Sequence, residues 1–380
     1  MFVIRQAVPE DVEILLKLAK MVFFINLPPD HKVIGDKIRW SRACFANVRA
    51  NRPSEDSTSI SGLTSLGGAA GRSPQFMFVI EDTETGNPIG CCAAIAQMGS
   101  ESNPGVTMRL NRREFFSEDL QSGATHVTAT VELDTSGPSE IGGLILSPSF
   151  RGHREKLGKQ LSHIRFHYIA LHRERFKDHI IAEMMAAISD EGHNPFWEHC
   201  SRRFINLTYE EAARFCQTSR EFMIALLPRA PLYLTLLPPE ARAVVGQVGP
   251  DTVPARRMLE SLGFEHRGKI DPFDAGPVLE AATDSIPLIQ ATSSVTLAGA
   301  CEAKEATEEA MVSFDNDAVG GFRAVRSKYA VAGDGAIALP KDRLEALGAE
   351  PGAALGLTPW QVGSAHRARR DTSARARSTA

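Results

Sequence analysis

The stretch Ile141-Gly142-Gly143-Leu144-Ile145-Leu146-Ser147-Pro148-Ser149-Phe150-Arg151-Gly152-His153-Arg154-Glu155-Lys156-Leu157-Gly158-Lys159-Gln160-Leu161 carries residue types that could hold an anion. It reads as an apolar strand, a proline-containing turn, a Gly/Arg-rich loop and the start of a helix. Such a loop presents backbone N–H groups at a helix N-terminus, where the helix dipole also favours negative charge. Arg151, Arg154, Lys156 and Lys159 add side-chain charge, so a diphosphate is the natural guest. An ordinary βα turn also needs glycine, and cations also solvate surfaces. The stretch alone leaves both readings open.

Six cysteines, at 44, 91, 92, 200, 216 and 301, offer a second kind of chemistry. None forms a CxxC pair. Cys91 and Cys92 are neighbours in an apolar run, and adjacent strand residues face opposite ways. They read as reduced, mostly buried thiols of a cytoplasmic protein, with no metal site.

The elements that must position the loop follow from periodicity. Phe2–Arg5 reads as a strand, and Pro9, Glu10 and Asp11 open a helix with the apolar stripe Val12, Leu15, Leu16, Ala19. A second helix runs near Lys32–Val48. Residues 50–74, rich in Ser, Gly, Asn and Pro, read as a mobile insertion. Phe76–Asp82 and Ile89–Gln97 form a hairpin around Gly86. Val127–Leu133 and Ile141–Leu146 are further strands, Glu155–Glu174 a helix, and Ile180–Ala187 a buried strand. His193–Phe204 and Thr252–Phe264 each read as a short helix leading into a strand, as if from a weak internal duplication. Residues 286–310 read as a linker and 311–362 as a small β-rich module. Residues 363–380, with five arginines, read as a disordered basic tail.

Composition limits what the chain can be. It has 380 residues, 42 basic and 46 acidic, a net charge of −4, 43% apolar residues and 23% charged. That is ordinary globular content for about two domains. No basic field points to nucleic acid. No run reaches the roughly 18 apolar residues of a membrane span, and acids stand where a signal peptide would be apolar.

Strand order narrows the fold. A strand-helix opening, an antiparallel hairpin and then a strand-loop-helix is not the start of a Rossmann fold, which begins with parallel βαβ units. The order resembles the GCN5-related N-acyltransferases, an α/β (α+β) class with a mixed sheet and helices on both faces. Their diphosphate loop follows the fourth strand. Thr252-Val253-Pro254-Ala255-Arg256-Arg257-Met258-Leu259-Glu260-Ser261-Leu262-Gly263-Phe264 is similar to the segment that packs beside their acyl-CoA.

A narrower resemblance rests on Ile181-Ala182-Glu183-Met184, Asn194-Pro195-Phe196-Trp197 with Arg203-Phe204, Val245-Gly246-Gln247-Val248, Pro254-Ala255-Arg256 and, most of all, Phe273-Asp274-Ala275-Gly276-Pro277-Val278-Leu279-Glu280. From Phe2 to about Ala282 the chain resembles the arginine N-succinyltransferase family, which includes arginine/ornithine succinyltransferase subunits. The resemblance implies transfer of a succinyl group from succinyl-CoA to the α-amine of arginine. It implies acyl-CoA as co-substrate, no permanently bound cofactor, no nucleic-acid or membrane partner, and homo- or hetero-oligomers from the family's paired subunits.

Carried over residue by residue, the acyl-CoA set is Gly143, Leu144, Arg151, Gly152, Gly158 and Lys159. Gly137-Pro138-Ser139-Glu140-Ile141 matches the run before the acyl-carrying strand. Glu140 is then the first candidate to attract or deprotonate the amine, with Asp134 and Ser139 as substrate-binding residues. The family's proton-donating histidine is replaced here by Gly249, and His193 is the nearest substitute. The turn at Phe150–Gly158 runs about two residues longer than the family's. The family's loop after the first helix becomes Phe24-Ile25-Asn26-Leu27-Pro28, and a similar string, Gly62-Leu63-Thr64-Ser65-Leu66, stands inside the insertion. These departures keep two alternatives open: another acyl-CoA or amine on the same fold, or a non-catalytic binder of acyl-CoA or arginine. Acyl transfer from a thioester draws much of its rate from positioning, and a lost acid slows it by roughly 10²–10⁴-fold.

Overall fold

The computed structural model describes residues 1–21, 27–52, 73–101, 103–189, 193–216 and 219–362. The insertion expected at 50–74 falls largely outside the described residues, as do the string at 62–66 and the basic tail.

The chain opens with β1 (Phe2–Gln6), buried except at Arg5. Pro9 starts a single turn that runs into α1 (Val12–Ala19). In α2 (His31–Arg49), the Asp30 side chain accepts a hydrogen bond from the Val33 N–H, satisfying an otherwise orphaned donor. A hairpin of β2 (Gln75–Asp82) and β3 (Asn87–Ile95) follows, then a longer one of β4 (Gly105–Ser117) and β5 (Ser122–Asp134). Strand β6 (Ser139–Leu146) leads through the basic turn into α3 (Leu157–Leu171) and β7 (His179–Glu183). A helical segment comes next, with α4 (Arg202–Ile205), α5 (Tyr209–Phe215), α6 (Glu221–Leu226), the short β8 (Leu232–Tyr233) and α7 (Pro239–Ala243). Then come α8 (Val253–Ser261), β9 (Glu265–Ile270), β10 (Pro277–Ala282) and α9 (Pro287–Ala291). The last elements are β11 (Ser293–Cys301), β12 (Glu308–Asn316), β13 (Gly321–Gly333), β14 (Ala336–Pro340), α10 (Lys341–Leu347) and β15 (Ala354–Pro359).

All these strands belong to one mixed sheet, in the order β12-β15-β11-β14-β13-β1-β2-β3-β6-β7-β10-β9-β4-β5-β8. Because β12 also pairs with β13, strands β11–β15 close into a five-stranded ring. The ring joins the rest through Ile4↔Ala324 and Arg5↔Arg323. The mixed α/β class and the acyltransferase-like order expected from the sequence are the ones observed.

Three elements differ from expectation. Residues 286–310 hold α9, β11 and the start of β12. Ile286 and Leu288 are buried in the main core, so apolar anchors among the Ala, Ser and Thr dock this stretch. Strand β4 was not expected, because Asn111-Arg112-Arg113-Glu114 hides its period; that outer half is exposed and needs no apolar alternation. The two similar segments also part ways. Thr252–Phe264 forms α8 and enters β9, whereas Trp197–Ile205 enters α5, whose capping box joins Thr208 and Glu211.

The central strands have two distinct faces. Phe76, Phe78, Cys92, Ala94 and Ile141 point toward α3 and meet Phe45, Phe166, Tyr168 and Phe322 in a closed aromatic core. Opposite them, register aligns Gln75 with Ile95, Ile95 with Glu140 and Glu140 with Ile181. Glu183 lies two residues further along β7 and so shares that face.

Among the described residues, no helix is long and apolar enough to cross a membrane. All six cysteines are free thiols.

Candidate active site

Strands β6 and β7 run parallel but pair only at Ser139↔Ile180 and Glu140↔Ile181. Beyond that point β6 stays with β3, and β7 with β10. The edge of Ile141–Leu146 that faces β7 therefore opens into a groove. Within it, Cys91 aligns with Ile145 and Ala93 with Gly142, so Gly143 and Leu144 together oppose Cys92. This is a β-bulge, which re-aims the backbone at one point of a strand. Gly143 sits at φ +60°, where a side chain is disfavoured. Leu144 is half-buried against the main core.

The basic turn leaves β6 through Ser147. The N–H groups of Phe150 and Arg151 donate to Ser147 and Pro148, and that of Lys156 to His153. Gly152, at φ +74°, has open space where a side chain would be. Leu157 and Gly158 supply the first N–H groups of α3, which lack partners inside a helix. Arg151 bonds Asp251 at 3.0 Å and ties the turn to the entry of α8. Lys159 turns elsewhere: its ammonium lies 4.6 Å from the centre of the Trp360 ring, with Arg326 4.3 Å from the same ring. Burial first, then Lys156 and Arg326, lowers its pKa. The face of α3 that carries Lys159 is covered by the residue just after β15, so Lys159 is a packing residue there.

On the Glu140 face, a cleft of about 450 Å³ opens beside the groove. Glu183, Asp271, Arg220, Cys216, Met223 and Phe273 line one side of it. Lys37, Gln75, Ile95 and Gln97 line another. A narrow recess against Gly142, Gly143 and Cys91–Ala93 shares Lys37, Gln75 and Ile95 with the cleft, so the bulge and the cleft are continuous.

Glu140 is fully buried in β6. Burial raises the pKa of Glu183, with Arg220 opposing. Burial raises that of Asp271 well above the carboxylate range, reinforced by Asp274 and Glu183. Burial alone would lower the pKa of Arg220, but Glu183, Cys216, Glu140 and Asp271 raise it overall. No ion pair within 4.0 Å joins Arg220 to Glu183 or Asp271. All three line the same cleft.

The stretch Phe273–Glu280 explains itself in this setting. Phe273 stacks on Trp197, with ring centres 4.9 Å apart and planes at 7°. The Asp274 carboxylate accepts hydrogen bonds from the N–H groups of Gly276 (2.7 Å) and Ala186 (2.8 Å), binding the entry of β10 to the exit of β7. Burial pushes its pKa up to about 6 against those two donors. A Cβ on Gly276 would stand 1.9 Å from the Met184 carbonyl oxygen, so only glycine fits. Asn194 is buried and donates to the carbonyls of Ala187 and Asp274 while capping Trp197.

The residues expected at the site separate into groups. Gly143 and Leu144 lie at the bulge, Glu140 is fully buried on the strand face that the cleft adjoins without lining it, and Arg151 and Gly152 stand at the turn. Ser139 is fully buried and committed to structure, donating to the Ala96 carbonyl and accepting from the Lys177 N–H. Asp134 lies on the rim of an adjoining recess, where it accepts from Ser136 and stands 3.9 Å from Lys269. His193 is exposed, exchanges hydrogen bonds with Ser189, and lines none of the cleft. Gly249 donates its N–H to the Met185 carbonyl and packs on Ala186. Sequence reasoning missed Glu183, Asp271 and Arg220 as a group. The available signal was a carboxylate at position 183, at the end of the otherwise apolar run Ile180–Ala182.

A family model described as "Arginine N-succinyltransferase beta subunit" matches residues 2–288. An arginine N-succinyltransferase of Enterobacter sp. (strain 638) is 36% identical over 224 residues, 59% of this chain and 64% of that protein. The matched part thus spans less than two thirds of that relative's length. One from Citrobacter koseri is 33% identical over 294 residues, 76% of this chain and 78% of that protein. The solved structure of arginine/ornithine succinyltransferase subunit AI from Pseudomonas aeruginosa superposes with a TM-score of 0.74 at 27% identity, over 96% of this chain and 99% of that one.

Proposed function

The chain belongs to the arginine N-succinyltransferase family, and from that premise we propose that it transfers the succinyl group of succinyl-CoA to the α-amine of arginine. The observation that carries the reading is the divergence of β6 and β7 at a bulge that opens directly onto an acid-lined cleft. The basic turn with Arg151, Gly152 and the first N–H groups of α3 receives the diphosphate of the donor. The pantetheine runs along the free edge of β6, and the thioester carbonyl meets the backbone donors of the Gly143–Leu144 bulge, which stabilise the oxyanion. Glu183 takes a proton from the α-ammonium; a carboxylate with a raised pKa is suited to that exchange. Glu140, buried on the same face, attracts the ammonium, and the Asp271 carboxyl on the cleft wall offers its carbonyl oxygen as a hydrogen-bond acceptor to the guanidinium of arginine.

The amine nitrogen then bonds the carbonyl carbon, the C–S bond breaks, the CoA thiolate leaves, and the second proton on nitrogen passes to solvent, where the released thiolate is also protonated. With glycine at 249, the leaving group departs as the thiolate, which is already a tolerable leaving group. Positioning supplies the rate that a general acid would have added.

The test is release of free thiol from succinyl-CoA with arginine, ornithine, lysine and agmatine as acceptors. Turnover with arginine, and its sharp reduction in Glu140→Gln, supports the reading. Absence of thiol release from the folded protein with every acceptor overturns it.

A further inference from the structure

Arg220 stands just before α6, and its backbone carbonyl accepts hydrogen bonds from the Met223 and Ile224 N–H groups at 3.1 and 3.3 Å, which fix where its side chain starts. Met223 is buried and lines the same cleft. Arg220 and Glu183 line both the cleft and the adjoining recess of Thr107 and Asp134, so the two stand together where the cavities meet. Elsewhere in the protein, partly buried arginines have their donors filled. Arg5 bonds Asp11 and Glu81, Arg49 bonds Asp315, and Arg109 bonds Glu132. Arg220 differs: among the described residues, no hydrogen bond or ion pair engages its guanidinium. A guanidinium presents five N–H donors in a planar fork. Unfilled on a cleft wall, that fork suits a carboxylate, which it binds through two parallel hydrogen bonds.

An amino-acid acceptor supplies one. Its carboxylate carbon lies about 2.5 Å from the α-nitrogen, two bonds away. Wherever the α-amine is brought to react, the carboxylate comes with it. Glu183, placed to take the proton of that amine, shares both cavities with Arg220. A carboxylate taken from water into a partly enclosed site that also holds acids needs a counter-charge. Burial alone would lower the pKa of Arg220, but Glu183, Cys216, Glu140 and Asp271 raise it overall, so the fork stays cationic.

Resting on the reading of the cleft as the acceptor site of succinyl transfer, we propose that Arg220 is a specificity-determining residue, whose guanidinium binds the α-carboxylate of the acceptor and so selects α-amino acids over amines that lack a carboxylate.

The experiment compares arginine with agmatine, the same molecule without its carboxylate. In the full-length protein, Arg220→Gln lowers the ratio of kcat/KM values, arginine over agmatine, by roughly 10²-fold, as for loss of one partner of a partly buried charge pair. The KM for succinyl-CoA stays as in wild type. Arg220→Lys keeps the charge without the fork and recovers part of the ratio. If Arg220→Gln does not fold, Arg220→Lys carries the test and must lower the wild-type ratio several-fold. A wild-type ratio close to unity overturns the proposal. So does an equal fall with both acceptors, because Arg220 would then serve only to hold the neighbouring acids. Failure of the wild-type protein to release thiol with any acceptor counts against succinyl transfer itself. The Arg220 assignment is then read from equilibrium binding, where the wild type must hold arginine more tightly than agmatine and Arg220→Gln must erase that preference.

Discussion

The two faces of the central strands are made by alternate residues of the same segments, yet they are built on opposite terms. On the α3 face, Phe76, Phe78, Cys92, Ala94 and Ile141 close against aromatic rings. Tyr168 touches Phe45, Phe76 and Phe78 at ring separations of 5.2, 4.8 and 5.4 Å. On the other face Gln75 and Glu183 bring polar and charged groups toward a cavity, Glu140 is buried beside them, and burial raises the pKa of Glu183. The first face holds the strands in register. The second uses that rigidity to keep carboxylates in places they would not choose. Stability and activity should therefore separate by face, and substitutions on the two faces can test it.

The largest effect is expected from the packed face. Phe78→Ala deletes a fully buried ring and should cost about 3–5 kcal/mol of stability, read by denaturant unfolding. Any residual folded protein should keep its KM for both substrates. Glu183→Gln should do the reverse. It removes a carboxylate whose charge burial already disfavours, so unfolding should shift by less than about 1 kcal/mol while kcat falls roughly 10²–10⁴-fold. If Glu183→Gln unfolds the protein, or Phe78→Ala changes substrate affinity without loss of stability, the division by face is wrong.

The packed face was the more legible one. Strands β2, β3 and β6 and helices α2 and α3 announce themselves through apolar period, because burial against a partner demands it. The bulge and basic turn could be placed from Gly142-Gly143 and the Gly/Arg pattern. The cleft was only half legible. Glu140 stood out by its place before an apolar strand, but Glu183, Arg220 and Asp271 come from three distant segments. Their meeting is a product of sheet order, with β7 and β10 adjacent and the start of α6 beside them, and no local period encodes it. Lys159 misled for the same reason: its helix position suits a diphosphate, and only the return of the chain at Trp360 draws it away. The outer half of β4 was invisible because a solvated hairpin has no buried face to mark it.

The smallest effect concerns protons, and it too should sort by face. His167 is fully buried behind the aromatic core, where Thr358 and Ser313 hydroxyls lie 2.6 and 2.7 Å from its ring nitrogens. Burial, with a lesser contribution from His172, lowers its pKa to about 3. A histidine depressed in the folded state adds stability that is fully present above its unfolded pKa of about 6.5. That contribution is lost as pH falls from there toward 3. Asp274, buried behind the cleft-lining Phe273, runs the other way: raised to about 6, it favours folding at lower pH and loses that contribution as pH rises through its folded pKa. Acid should thus weaken one face while relieving the other. Between pH 7 and pH 5 the histidine contribution changes by about 2 kcal/mol. His167→Asn, though less stable than wild type at pH 7, should therefore lose about 2 kcal/mol less on that acidification, measured by denaturant unfolding at the two values. An identical pH dependence in the two proteins would mean that His167 is not held neutral, and that the aromatic face is less dry than its packing implies.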